Sequence, residues 1–140
     1  MNNELPKLIT DQMFNNDPFS KWMGIERVED GVGTNTLKMK VREEMLNGFG
    51  ILHGGIAFSL ADSALAFAAN SHGRKCLSVE NSIHYTGSCT TGDEIIARAS
   101  EVSRSHKIAV YSVEVKKASG EKVAEFRGTV YRSSKEWEVG

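Results

Sequence analysis

One carboxylate in this 140-residue chain stands where a carboxylate is costly. Asp62 lies in the run from Ile56 to Ala69, which has no proline and no glycine, and only Ser59, Asp62 and Ser63 as polar residues. Projected at ~3.6 residues per turn, the run shows no polar face, the pattern of a helix buried on all sides. Asp62 falls roughly two turns in, too deep to cap the helix amino terminus. An unpaired buried carboxylate costs several kcal/mol or takes up a proton. Such groups concentrate where a perturbed acid or base is needed for chemistry. A structural acid paired with a serine or a backbone amide is the weaker alternative.

The residues just ahead of this run supply a second kind of chemistry. Gly54-Gly55, after His53, lets the backbone turn tightly and leaves amides uncovered by side chains. The first amides of a helix have no intrahelical acceptor, and the macrodipole makes that end electropositive. A developing oxyanion is stabilised at such a place. Asp62 lies eight residues beyond Gly54, or about 12 Å along the axis at ~1.5 Å per residue. One chain is not expected to bring both groups to the same carbonyl, whereas a second chain packed antiparallel on the first could. Asn47-Gly48 alone reads as a turn, and its place ahead of His53-Gly54-Gly55 makes Asn47 a candidate. His53 reads first as a hydrogen-bonded loop residue at the helix start, and second as a catalyst. Ser59 and Ser63 have no partners for a Ser–His–Asp set and read as packing or polar lining.

The elements that must position these residues follow from periodicity and turn signals. Residues 5–15 form a short amphipathic helix with Ile9 and Met13 on one side. Asp17-Pro18 starts a second helical turn, with Asp as N-cap and Pro at the first position, and Gly24 stops it. Its Phe19, Trp22 and Met23 either cover one end of the core or line an acyl pocket. Residues 25–29 and 34–41 read as strands joined by the turn Asp30-Gly31-Val32-Gly33. Residues 42–52 read as a loop, followed by the buried helix to about residue 71. From Cys76 the chain is strand-like: 76–85, 94–103, 108–117 and 122–131, with a polar tail over 133–140. Strands grouped after a long helix predict an α+β fold with an antiparallel sheet. The sheet must curl around the apolar helix, and the remaining side needs a second subunit.

Composition narrows the class. Residues 1–140 make one domain, and a net charge of -1 argues against a general nucleic-acid binder. The stretch Met1-Asn2-Asn3-Glu4-Leu5-Pro6 carries no basic segment followed by an apolar run, so no signal peptide is expected. The central helix is shorter than a membrane span and holds Asp62, so no membrane is expected. Cys76 and Cys89 form neither a CxxC nor a metal pattern and read as free thiols of a cytoplasmic protein. The four histidines do not cluster with acids at ligand spacing, so no metal is expected.

Asn47, His53-Gly54-Gly55 and Phe58-Ser59-Leu60-Ala61-Asp62, with Ala64, stand in the register of one family. The chain resembles the hotdog-fold thioesterases, in particular the branch of phenylacetic-acid degradation thioesterases. The order of the later strands and Phe126-Arg127-Gly128 in the last one are similar too. The resemblance implies a sheet wrapped around the central helix, two subunits sharing one continuous sheet, a homodimer at least and a homotetramer by pairing of dimers. It implies hydrolysis of acyl-coenzyme A to free acid and coenzyme A, with no cofactor beyond the coenzyme A of the substrate. It makes Asp62 the catalytic carboxylate of one subunit. Relatives differ on nucleophile or general base, and the presence of Asn47 to position a water favours the base here. The Gly54 amide and Asn47 of the neighbour then serve as oxyanion donor and water- or substrate-orienting residue, with His53, Gly55 and Ser63 against the substrate. Relatives with a Thr one turn past the carboxylate have Ala66 here, so a second polar helper is either missing or supplied by Ser63. In place of an Arg-Pro found in many relatives the chain reads His84-Tyr85-Thr86-Gly87. Arg104, His106 and Lys107 form a solvated turn by default, or pair with coenzyme A phosphates. The competing classes are a hotdog hydratase or dehydratase, which needs an Asp–His or similar pair not evident here, and a non-catalytic acyl-CoA sensor. The sensor would lack the acid or carry an added DNA-binding segment, for which this chain has no room.

Overall fold

The structure, a computed structural model, describes residues 4–139. Met1, Asn2 and Asn3 of the amino-terminal stretch, and Gly140 of the tail, lie outside the described residues. Helix α1 (Glu4–Asn15) turns Ile9 inward, fully buried. Helix α2 (Pro18–Met23) begins where the Asp17 side chain accepts the Ser20 amide at 3.0 Å. It ends at Gly24, whose φ of 73° lets its amide turn back to the carbonyls of Lys21 and Ser20. Strands β1 (Glu26–Gly31) and β2 (Thr34–Lys40) form the expected hairpin. β1 starts one residue later than expected and runs through Gly31, so the turn shrinks to Val32-Gly33. The segment 42–52 is more ordered than a loop: a 3-10 turn (Glu43–Met45) and a bridge between Leu46 and Leu52 fold it back on itself.

Helix α3 (Gly54–Asn70) packs against all six strands, so the sheet folds around it. Ala57, Leu60, Ala61, Ala64, Leu65, Phe67 and Ala68 are buried. The alanines let strands come close, and Leu65 and Phe67 supply the bulk, each worth about 1.5–3 kcal/mol on burial. The helix is not buried on all sides within one chain. Gly55, Ser59, Asp62, Ser63 and Ala66 form a stripe that is half-buried or exposed. Ser59, Asp62 and Ser63, the polar residues of the run, all fall on that stripe. The side of the helix that this chain's sheet leaves uncovered is therefore its polar side, a correction to the reading that no polar face exists.

The remaining strands are β3 (Arg74–Tyr85), β4 (Glu94–Arg104), β5 (Ile108–Lys117) and β6 (Lys122–Glu136), all antiparallel, in the sheet order β1-β2-β4-β5-β6-β3. β3 does not pair with β4, its successor in the chain, but crosses to the far edge beside β6. β4 turns Ile95, Ala97 and Ala99 to the core, and the Ile96 side faces away. In β3 a bulge between Ser78 and Glu80 reverses the alternation. Cys76 points inward before it, and Asn81 and Ile83 are half-buried after it. Leu77 and Val79 are left 72% and 59% exposed on an open edge.

The polar tail is a correction: residues 132–136 continue β6, pairing with Arg74 and Cys76 at the start of β3. Trp137 then closes over the carboxyl end of α3, donating its indole to Asn70 Oδ1 at 2.9 Å and its amide to the Gly73 carbonyl at 2.8 Å. At the same end His72 Nε2 lies 2.6 Å from Glu101 Oε1, which also accepts the Tyr111 hydroxyl at 3.0 Å. That set ties the end of α3 to β4 and β5. No helix among the described residues is long and apolar enough to cross a membrane.

Candidate active site

Asp62 opens into a cleft of about 530 Å3 between α3 and the α1–α2 arm. Its walls include Gln12, Asn16, Phe19, Ser63, Phe67 and Trp137. Asp62 Oδ1 accepts a hydrogen bond from Asn81 Nδ2 at 3.2 Å. Burial pushes the Asp62 carboxyl above its ordinary range, and the Asn81 donation only partly offsets this. Ser63 Oγ is 3.1 Å from Ser20 Oγ, and the Ser20 hydroxyl donates to Asp17 Oδ2 at 2.6 Å. The proton between the serines is therefore Ser63's, which leaves its oxygen lone pairs to face the cleft. Phe19 reaches this cleft, Met23 is in the core, and Trp22 stacks on Phe19 outside it.

Asn47 and Gly54 sit elsewhere. They share a second cleft of about 320 Å3 with Tyr85 and Cys89. His53 caps α3 with Nδ1, which accepts the Gly55 amide at 2.9 Å, while its carbonyl accepts the Ile56 amide. A neutral ring accepting at Nδ1 carries its hydrogen on Nε2. His53 thus does what a helix-start residue is expected to do, and it occupies the Gly55 amide. Among the described residues the Gly54 amide meets no acceptor, so it is the one left for a ligand. The Tyr85 hydroxyl donates to the Gly54 carbonyl at 2.9 Å, and its ring would stand 2.8 Å from a Cβ at Gly54. A larger residue there would displace that exposed ring and its hydrogen bond to the Gly54 carbonyl. Asn47 Oδ1 accepts the Phe49 amide at 2.8 Å, which shapes the loop and leaves its Nδ2 for a ligand.

One chain therefore keeps the carboxylate and the oxyanion donor in separate clefts, as their spacing along the helix requires. Arg104, His106 and Lys107 line neither cleft. Arg104 Nε is 3.4 Å from Glu101 Oε2, and Arg132 Nη1 pins the turn through the Ser105 carbonyl at 2.6 Å. The His106 and Lys107 side chains are exposed.

Asn81 and Tyr85 were legible only as strand positions. Asparagine is depleted in strands, and that mismatch at Asn81 was the available signal. Trp137, taken with the tail, reaches the Asp62 cleft because β6 is five residues longer than expected.

A sequence profile of the thioesterase superfamily matches residues 49–124, which span the end of the loop, α3, β3, β4, β5 and the start of β6. The chain belongs to the thioesterase superfamily. This thioesterase is similar to a protein of Archaeoglobus fulgidus described as a putative esterase, 37% identical over 96% of this chain and 87% of that protein. It is also similar to the acyl-coenzyme A thioesterase PaaI of Escherichia coli, 34% identical over 86% of each chain. The structure of that PaaI protein, from the phenylacetic acid degradation operon, superposes with a TM-score of 0.94 at 30% identity, covering 96% of this chain and 97% of that one. A Streptococcus mutans protein bound to acetyl CoA superposes with a TM-score of 0.78 at 25% identity over 81% of this chain and 91% of its own. The fold is the hotdog of PaaI-like thioesterases, and the chain is a thioester hydrolase.

Proposed function

We propose that this thioesterase hydrolyses an acyl-coenzyme A to free acid and coenzyme A at sites shared between two subunits, with Asp62 as general base. The observation that carries this reading is the pair of separate clefts: a carboxylate opening into one, and an unpartnered helix-start amide with Asn47 in the other. Antiparallel pairing of α3 with its copy sets the two half-sites face to face. The long open edge of β3, with Leu77 and Val79 exposed, supports pairing of that strand with its copy. A homodimer is the least assembly this needs, and pairing of dimers makes the homotetramer. Two buried free cysteines support a reducing, cytoplasmic setting.

In this reading ionised Asp62 takes a proton from a water that Asn47 of the neighbour orients. The water oxygen bonds to the thioester carbonyl carbon, and the charge moving onto the carbonyl oxygen is met by the neighbour's Gly54 amide. The tetrahedral intermediate collapses with cleavage of the C–S bond, and the proton held by Asp62 goes to the departing thiolate. No cofactor takes part. His53, Gly55 and Ser63 border the path of the substrate, Arg104 and Lys107 supply cations for its phosphates, and His106 a further hydrogen-bonding group beside them. The aromatic walls Phe19, Phe67 and Trp137, with the amides of Gln12 and Asn16, fit an aryl acyl group. The relation to the PaaI protein of the phenylacetic acid operon supports phenylacetyl-CoA or a hydroxylated derivative.

A panel of acyl-CoA thioesters, followed by release of free thiol, tests this. Aryl-acetyl thioesters should turn over fastest. Preference for straight-chain acyl groups would remove the aryl assignment, and no hydrolysis of any member would overturn the reading.

A further inference from the structure

We propose that Asn81 is a positioning residue for Asp62: its amide, laid over β6 from the edge strand, holds the carboxylate toward the cleft. The proposal rests on the reading of Asp62 as catalytic carboxylate, and adds a residue on which that carboxylate depends.

The geometry is built for this contact. Asn81 follows the β3 bulge, which turns it inward in register with Gly128 of β6. A Cβ at Gly128 would collide with Asn81 Oδ1 and with Leu65 Cδ1 of α3. Glycine there clears the space in which the Asn81 side chain passes over β6 to the helix. Nδ2 then meets Asp62 Oδ1 at 3.2 Å, and Asp62 Oδ2 carries no hydrogen bond among the described residues. One oxygen is held and the other is left to receive a proton.

The other end of the amide argues against a packing role. Asn81 Oδ1 is buried and has no partner among the described residues. A leucine would fill this space without leaving a polar atom unsatisfied. The amide's orientation is instead decided by the charge it faces, since only an N–H is attracted to a carboxylate. Asp62 faces Asn81 from β3 and shares its cleft with Gln12 and Asn16 from α1 and Asp17 at the start of α2. Among the described residues Asp17 is the only other charged group lining the cleft, and Ser20 holds it by two hydrogen bonds. No nearby cation offsets Asp62's burial, and Asn81 is the group that favours its ionised form.

The test compares Asn81→Leu, Asn81→Asp and Asp62→Asn in the full-length protein, measuring kcat, KM and the pH dependence of kcat/KM on an acyl-CoA that the wild type hydrolyses. Asn81→Leu should lower kcat by about tenfold or more, the scale of a hydrogen bond to a charged group, with KM nearly unchanged. Its acid limb should move to higher pH. Asn81→Asp keeps the size and sets a second carboxyl against Asp62, so the pair should share a proton and the single acid limb of the wild type should split into two steps. It also carries the test if the leucine variant folds poorly. An unshifted acid limb and wild-type kcat in both Asn81 variants, beside an inactive Asp62→Asn, would overturn the role of Asn81 and leave Asp62 standing. A fully active Asp62→Asn would overturn the underlying reading instead.

Discussion

Asp62 must be ionised to take a proton from water, and its burial opposes ionisation. Two consequences have opposite signs. Asp62→Asn should lower kcat by at least about a hundredfold, the usual scale for a positioned base. The same substitution should stabilise the fold at neutral pH. A carboxyl whose folded pKa is raised binds its proton more tightly in the folded chain, so its ionisation destabilises the fold above that pKa. The advantage of Asp62→Asn should therefore shrink as pH falls through the raised folded value toward the ordinary 3.8. Thermal melts of the two proteins across that range check the sign. A loss of stability at neutral pH would mean that Asp62 is a structural acid.

Helix α3 is held at its two ends by different chemistry, and each end makes its own prediction. At the amino end Gly54 lies beneath Tyr85. Gly54→Ala should push that ring or the first helical turn aside, lowering kcat while the fold persists, and Tyr85→Ala in the same chain should partly restore it. At the carboxyl end Glu101 binds His72 and Tyr111. Burial raises its carboxyl, but those hydrogen bonds outweigh burial and hold it below the usual 4.5. A depressed folded pKa contributes stability that is present above 4.5 and lost as pH falls through the folded value. Glu101→Gln should lower the melting temperature at neutral pH and flatten its decline in acid. Between the ends Phe67, buried and edge-on to Phe14, anchors α1 to α3. Phe67→Ala should cost about 3–5 kcal/mol in denaturant unfolding.

For the whole molecule, the decisive prediction is rescue between two broken proteins. Asp62→Ala and Asn47→Ala homodimers each carry two damaged sites. In a mixed dimer both lesions fall in one shared site, and the other is intact. Random reassociation after mild denaturation makes about half the dimers mixed, so activity should return to about a quarter of wild type. Differently tagged copies report whether mixed dimers form. If they form and activity stays at the parental level, the site lies within one chain. An active monomer in light scattering would rule out the shared site as well.

The sequence by itself determined the local structure and the chemical cast. Asp17-Pro18 and Gly24 bracket α2 because capping needs only residues next to one another. The apolar run fixes α3, and eight residues of helical rise are enough to separate Gly54 from Asp62. Only the tertiary structure decided that β3 crosses to the sheet edge, that a bulge turns Asn81 toward Asp62, and that β6 runs on to bring Trp137 into the cleft. Strand order and register come from pairing between segments far apart in the chain, and a bulge reverses inside and outside for every residue beyond it. Alternation within one strand carries no record of either.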